Sequence, residues 1–207
     1  MLSGISGTSA LRPTYAAIKS GKKLLLANKE SIIMSGELML KAAQQSGSKI
    51  IPIDSEHNAL FQILSPLFKN SEIDLKQRHE ISKIILTASG GPFLNYHKRD
   101  LKHVTPNQAT KHPNWKMGKK ISVDSATMMN KGLEIIEASI LYGIDYSKID
   151  VLIHPQSIIH ALVSFNDGST ISHLSNHDMK IPISYALSWP CLLYTSTSPR
   201  DETKSRL

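Results

Sequence analysis

The chain has 207 residues, 41% of them hydrophobic and 20% charged, with a net charge of +7 and a single cysteine, Cys191. This is a globular composition with an ordinary core; it excludes a disulfide framework and points to a reducing compartment. No apolar run reaches the length of a membrane span, and no basic segment followed by an apolar core marks a secretory leader. The densest basic patch is KHPNWKMGKK at 111–120. It contains no block of like charges, so it reads as a solvated surface rather than a nucleic-acid site.

The first third alternates between helix and strand. SGISG reads as a strand end turning into a glycine loop, LRPTYAAIKSG as a helix closed by Gly21, and KKLLLAN as a short strand buried from Leu24 to Ala27. GELMLKAAQQSG predicts a helix ending at Gly47, and KIIPID another strand. The alternation favours a parallel sheet. A strand start at Met1 looks partnerless, as if strands preceded it.

Beyond Asp54 the rhythm changes. HNALFQIL predicts a helix, 66–78 a polar loop, and SKIILTASGGPF a strand entering a glycine turn. TPNQATKHPNWKMGKK predicts a short helix and a mobile loop. SVDSATMMNKGLEIIEASILYG reads as one amphipathic helix with a polar start, and VLIHPQSIIHALVSFNDGSTISHLS as three strands with antiparallel pairing and a turn at Asn166-Asp167-Gly168. The last stretch, CLLYTSTSPRDETKSRL, has no period and is expected to be disordered.

Three places carry chemistry. Asp54 and Glu56 stand two apart where a strand ends, so period two puts both carboxylates on one face. Adjacent carboxylates repel unless a cation lies between them, and Mg2+ or Mn2+ takes oxygen ligands. Such a pair is more often a solvated strand end. Asn130, Lys131 and Glu134 share a helix face. One reading is an exposed Lys–Glu pair beside an N-terminal cap from Asp124 or Ser125. The other is an anion site at a helix start, with Glu134 as a third carboxylate for a metal. TASGGPF offers a serine hydroxyl and backbone N–H groups to a ligand, although most Gly-Gly-Pro turns have no function. The nine histidines show no zinc spacing. His112 and His160 adjoin loops that could close on a site, and Trp115 and Met117 lie on a loop that is either a lid or an anchored connection.

In order, LLANKES, PIDSEHNA, ASGGPF, HPNWKMGKKISVDSATMMNKGLE and LIHPQSIIH closely resemble the 1-deoxy-D-xylulose 5-phosphate reductoisomerase family over about residues 4–190. The resemblance implies a Rossmann-like NADPH-binding domain, an α+β catalytic domain and a C-terminal helical domain. It implies rearrangement of deoxyxylulose phosphate to an aldehyde, then reduction with NADPH to methylerythritol phosphate, with Mg2+ or Mn2+ as Lewis acid. Carried over by motif, Asp54, Glu56 and Glu134 would ligate the metal. Ser89, Ser125, Asn130 and Lys131 would hold the phosphate. Ser55, Ser157, His112 and His160 would line the substrate, with Glu134, Lys131 and His112 closest to the chemistry and Trp115 and Met117 on the closing loop. Asn28, Lys29, Glu30, Gly132 and Met179 would lie near NADPH.

The resemblance also implies where the chain departs from its family. The G-x-T-G-x-x-G turn of the nucleotide-binding strand is not found, and nothing in 191–207 resembles the family. The expected organisation is 1–54 as the later part of the NADPH-binding domain, 55–190 as the catalytic domain, 191–207 as a foreign or disordered tail, and no C-terminal helical domain. Such a chain is expected to be truncated. The alternative function is a non-catalytic metal- and phosphate-binding fragment. The expected partner is a small phosphorylated sugar, with no nucleic acid and no membrane; the family is usually a homodimer. A bacterial cytoplasm and a plastid stroma both fit.

Overall fold

The computed structural model describes residues 1–69, 72–73, 75–112 and 118–191. Its first unit is a parallel sheet of three strands, β1 (Leu2–Ser3), β2 (Leu24–Leu26) and β3 (Ile50–Pro52), in that order. The connections are α1 (Leu11–Lys19) and α2 (Lys29–Ser46). Leu24 and Leu26 pack with Ile18, Ile32 and Met39 from these helices, while Leu25 joins Ile51, Phe61 and Ala186 on the opposite face. A strand covered on both faces explains the unbroken apolar run. The run stops one residue earlier than expected, because Ala27 is exposed. The strand at the chain start has a partner after all, since Leu2 and Ser3 pair with Leu25 and Leu26.

α2 starts earlier than GELML. Asn28 caps it by accepting from the Ser31 N–H, and Gly47 closes it in the left-handed conformation. Ser35 is non-helical, and the kink there interrupts the periodicity that would otherwise reveal the first turns. At the next residue, a Cβ on Gly36 would stand 2.3 Å from Ile140 Cγ2, so only glycine permits this approach of α2 to a later helix.

α3 (Ser55–Leu64) leads into a region that is not the uniform loop expected over 66–78. It holds a small hairpin of β4 (Phe68–Lys69) and β5 (Glu72–Ile73), and then α4 (Leu75–Glu80). β6 (Ile81–Ala88) is the centre of a second sheet. After it come α5 (Pro106–Ala109), α6 (Lys119–Ala126), α7 (Met129–Tyr142), β7 (Ile149–Ile153), β8 (Ile159–Phe165), β9 (Thr170–Leu174) and α8 (Lys180–Ser188). The sheet order is β7-β6-β8-β9. β8 pairs antiparallel with β6 and β9, as the hairpin signal predicts, but β7 pairs parallel with β6 and not with β8. Its link from β6 includes α7, a crossover long enough for a parallel return.

The core of the second unit joins Leu60 and Leu64 of α3, Ile84 and Leu86 of β6, Ala138 and Tyr142 of α7, and Val163 of β8. α3 and α7 therefore sit between the two sheets. The whole is an α/β architecture, and its parallel sheet has α1 and α2 on one face and α8 against the other. Among the described residues no helix is long and apolar enough to cross a membrane.

Candidate functional site

The stretch 122–143 is two helices, not one. Met128 takes a left-handed conformation (φ 60°) between α6 and α7, and no side chain caps α7. Neither Asp124 nor Ser125 is the expected cap, because both belong to the end of α6. The break lets Ser125 and Glu134 enter one cavity from differently directed helices. Asp54 and Glu56 likewise are not strand-face neighbours. Asp54 caps α3, accepting from the Glu56 N–H at 3.3 Å, and Glu56 lies in the helix's first turn.

These elements surround a cavity of about 410 Å³, a size typical of small-ligand sites. Its lining includes Lys29, Asp54, Ser55, Glu56, Ser89, His112, Ser125, Asn130, Lys131, Glu134, Ser157, His160 and Met179. Asn28, Glu30 and Gly132 are not part of the lining. Asn28 is a bracket behind it, donating to the carbonyls of Ile5 and Gly7, and Glu30 pairs with Lys120 at 2.9 Å. Trp115 and Met117 lie outside the described residues.

At one end, oxygens of Asp54, Glu56 and Glu134 all lie within 4.8 Å of one another. Glu134 is fully buried and Lys131 is 5% exposed, so the exposed-pair reading of α7 does not hold. Two ammonium groups compensate the carboxylates. Lys29 Nζ donates to Asp54 and, at 3.1 Å, to Glu134. Lys131 Nζ donates to Glu56 at 2.9 Å and to Glu134 at 2.5 Å. Burial alone would lower the Lys29 pKa, but Asp54 and Glu134 raise it well above its usual value. Burial and the Glu134 carboxylate push Glu56 up to about 7, the mark of a carboxylate short of positive charge. A hard divalent ion fits this all-oxygen set. Lys29 and Lys131 offset two of the triad's three negative charges, as a bound divalent cation would.

The opposite end is neutral. Ser89 follows β6 and hydrogen-bonds His112 Nε2 at 2.9 Å; burial lowers the His112 pKa and favours the uncharged ring. Gly90 and Gly91 have φ of +85° and +69°. A Cβ on Gly91 would stand 2.8 Å from the Ser125 carbonyl oxygen, so this glycine allows the β6 turn to approach the end of α6. The result is a pair of hydroxyls, Ser89 and Ser125, beside the turn. Ser157 is buried in a left-handed conformation (φ 51°), costly for a non-glycine residue and frequent at functional sites. His160, on β8, approaches the Ser175 carbonyl at 3.3 Å, and burial pushes its pKa down to about 4.

Lys131 and Asn130 therefore face the carboxylates in this structure; Asn130 Nδ2 donates to Glu134. The sequence reading missed two residues behind them, His57 in the role it takes and Glu137 altogether. Glu137 is buried on α7 one turn beyond Glu134. The signal available was a glutamate within the apolar stripe of IIEASILY.

Comparison with known proteins bears on the whole constellation. A family model for 1-deoxy-D-xylulose 5-phosphate reductoisomerase matches residues 1–36, and one for that protein's C-terminal domain matches residues 50–142. Proteins of that name from Acinetobacter baumannii and Pseudomonas fluorescens are 52% and 51% identical over 201 residues, 97% of this chain and 50% of each relative. A solved DOX-P reductoisomerase with NADPH, fosmidomycin and magnesium is 45% identical with a TM-score of 0.87, covering 95% of this chain and 48% of that one. The Zymomonas mobilis enzyme in complex with NADPH is 43% identical with a TM-score of 0.82, at the same coverages. The chain spans about half the length of the curated relatives it matches.

Proposed function

The chain belongs to the 1-deoxy-D-xylulose 5-phosphate reductoisomerase family, and from that premise we propose that it carries the catalytic site of an NADPH- and divalent-metal-dependent reductoisomerase. The reaction converts 1-deoxy-D-xylulose 5-phosphate to 2-C-methyl-D-erythritol 4-phosphate, a step of isoprenoid precursor synthesis. One observation carries this reading: three carboxylates converge across a single cavity from a glycine turn with two serine hydroxyls.

Asp54, Glu56 and Glu134 are the metal ligands, with Mg2+ or Mn2+ supplying Lewis acidity to the substrate's oxygens. Ser89 and Ser125 donate to the substrate phosphate, a handle remote from the reacting carbons. Asn130 and Lys131, which here donate to Glu134, would also offer their amide and ammonium donors to the phosphate. Ser55, Ser157 and His160 orient the sugar hydroxyls, and neutral His112 holds Ser89. Met179 and the apolar side chains of Leu2 and Ile183 receive the nicotinamide end of NADPH, the hydride source, with Lys29 nearby; Asn28, Glu30 and Gly132 would lie near NADPH without lining the cavity. Residues 1–54 are the cofactor half of this arrangement and 55–190 the catalytic half.

The shared half-length with each relative sets a second reading beside this one, in which the chain binds metal and phosphate without turnover. Thermal-shift titration of the 207-residue chain with Mn2+ and fosmidomycin, with Glu134→Gln alongside, tests both. A metal-dependent rise in Tm that Glu134→Gln abolishes is expected. NADPH oxidation on adding deoxyxylulose phosphate then separates enzyme from binder. A folded chain that does not respond to Mn2+ sinks both readings.

A further inference from the structure

His57 lies fully buried beneath the three carboxylates. Its Nε2 is 3.0 Å from the backbone oxygen of Glu134. Its Nδ1 is 3.1 Å from Asp54 Oδ1 and 3.6 Å from Glu137 Oε2. A carbonyl and a carboxylate only accept, so both ring nitrogens donate. Nδ1 thus has one hydrogen and two carboxylates within reach. Asp54 takes it here, and Glu137 Oε2, buried, has no hydrogen-bond partner. A buried acceptor without a donor is costly and calls for a reason.

Asp54 supplies that reason. One of its oxygens faces His57 and the other faces Lys29, so any cation it ligates must draw on an oxygen already engaged. We propose that Glu137 is a positioning residue for the three-carboxylate centre: it is the second acceptor that keeps His57 fixed when Asp54 turns to a bound divalent cation. The inference rests on the reading of Asp54, Glu56 and Glu134 as metal ligands. The ring has little freedom to do otherwise. Tyr142 Oη donates to the His57 backbone oxygen at 2.6 Å, and Nε2 is held by the backbone of α7. The ring therefore ties α3, which carries Glu56 and is capped by Asp54, to α7, which carries Glu134. Glu137 is the one member of the group with no place in the cavity lining and with an acceptor to spare.

The test is Mn2+ affinity, followed by the electron paramagnetic resonance of the free ion, on the 207-residue chain. The set is wild type, Glu137→Met, Glu137→Gln, His57→Gln, and the double variant His57→Gln/Glu137→Met. Glu137→Met is expected to weaken Mn2+ binding about tenfold, as loss of a group behind a metal ligand does. Glu137→Gln, which retains an acceptor oxygen, keeps most of the affinity. The double variant binds as weakly as His57→Gln alone, because Glu137 acts through His57. Melting without metal separates a packing role, which would lower Tm and leave Mn2+ affinity unmoved. Should Glu137→Met not fold, Glu137→Leu takes its place in the cycle. Wild-type affinity in the Met or Leu variant, or losses that add in full, would overturn the inference. A wild-type chain that binds no Mn2+ overturns instead the metal reading beneath it, and the inference with it.

Discussion

The two ends of the cavity are built by different means. The carboxylate end is set by charge: Lys29 and Lys131 bridge Asp54, Glu56 and Glu134, which come from α3 and α7. The serine end is set by backbone: Gly90 and Gly91 make the turn, and the break at Met128 ends α6 beside it. The first end therefore answers to whatever replaces a positive charge, and the second to whatever changes the path of the chain.

Lys29→Met breaks the comparison hardest. It leaves Asp54 and Glu134 without their shared ammonium, and the metal-free fold should lose about 3 kcal/mol, the usual cost of stranding a buried charge. Mn2+ should raise the Tm of this variant more than that of the wild type. Equal metal responses in thermal melts would show that Lys29 does not occupy the role of a cation. Gly91→Ala attacks the other end, since the new methyl meets the Ser125 oxygen at a positive φ. A loss of about 1–3 kcal/mol is expected from strain at such a position. Phosphate binding should weaken while Mn2+ affinity holds, and calorimetry with inorganic phosphate and Mn2+ reads the two separately. Near neutral pH the smallest effect belongs to His160, which acts only as the pH falls. Its folded pKa, about 4 against a usual 6.5, means that the unfolded chain takes up the proton more readily. Stability from this residue is complete above pH 6.5 and is lost as the pH falls toward 4. Urea melts across that window should show a slope that His160→Asn flattens.

Sequence patterns revealed most of this where local chemistry alone decides structure. The LLL run, the Asn166-Asp167-Gly168 turn and the strand into ASGG appear as read, because burial period and glycine placement act over a few residues. The carboxylate triad was legible through its motif resemblance, although not with the right local geometry: Asp54 and Glu56 converge as a helix cap and first turn rather than along a strand. What stayed hidden depends on contacts distant in sequence. Lys29 reaches Glu134 across 105 positions, and no local pattern announces that an ammonium in LLANKES will neutralise a helix in the other half of the chain. Met128 conceals the helix break, since methionine carries none of the signals that glycine or proline would give. Glu137 was hidden by its surroundings, an apolar stripe in which a charge reads as noise.

The contact of Gly36 with Ile140 reaches further than its size. Lys29 rides on the first turns of α2, and Glu134 lies on the α7 face that meets that helix. The spacing of the two helices therefore sets how far an ammonium must stretch to reach its carboxylate. Gly36 works as a shim of zero thickness. Replace its hydrogen with a methyl group and Ile140 must give way, or the helices part and Lys29 is drawn off Glu134 by the same margin. A residue seven positions along the chain from Lys29 thus holds the tolerance to which the charged end of the site is assembled.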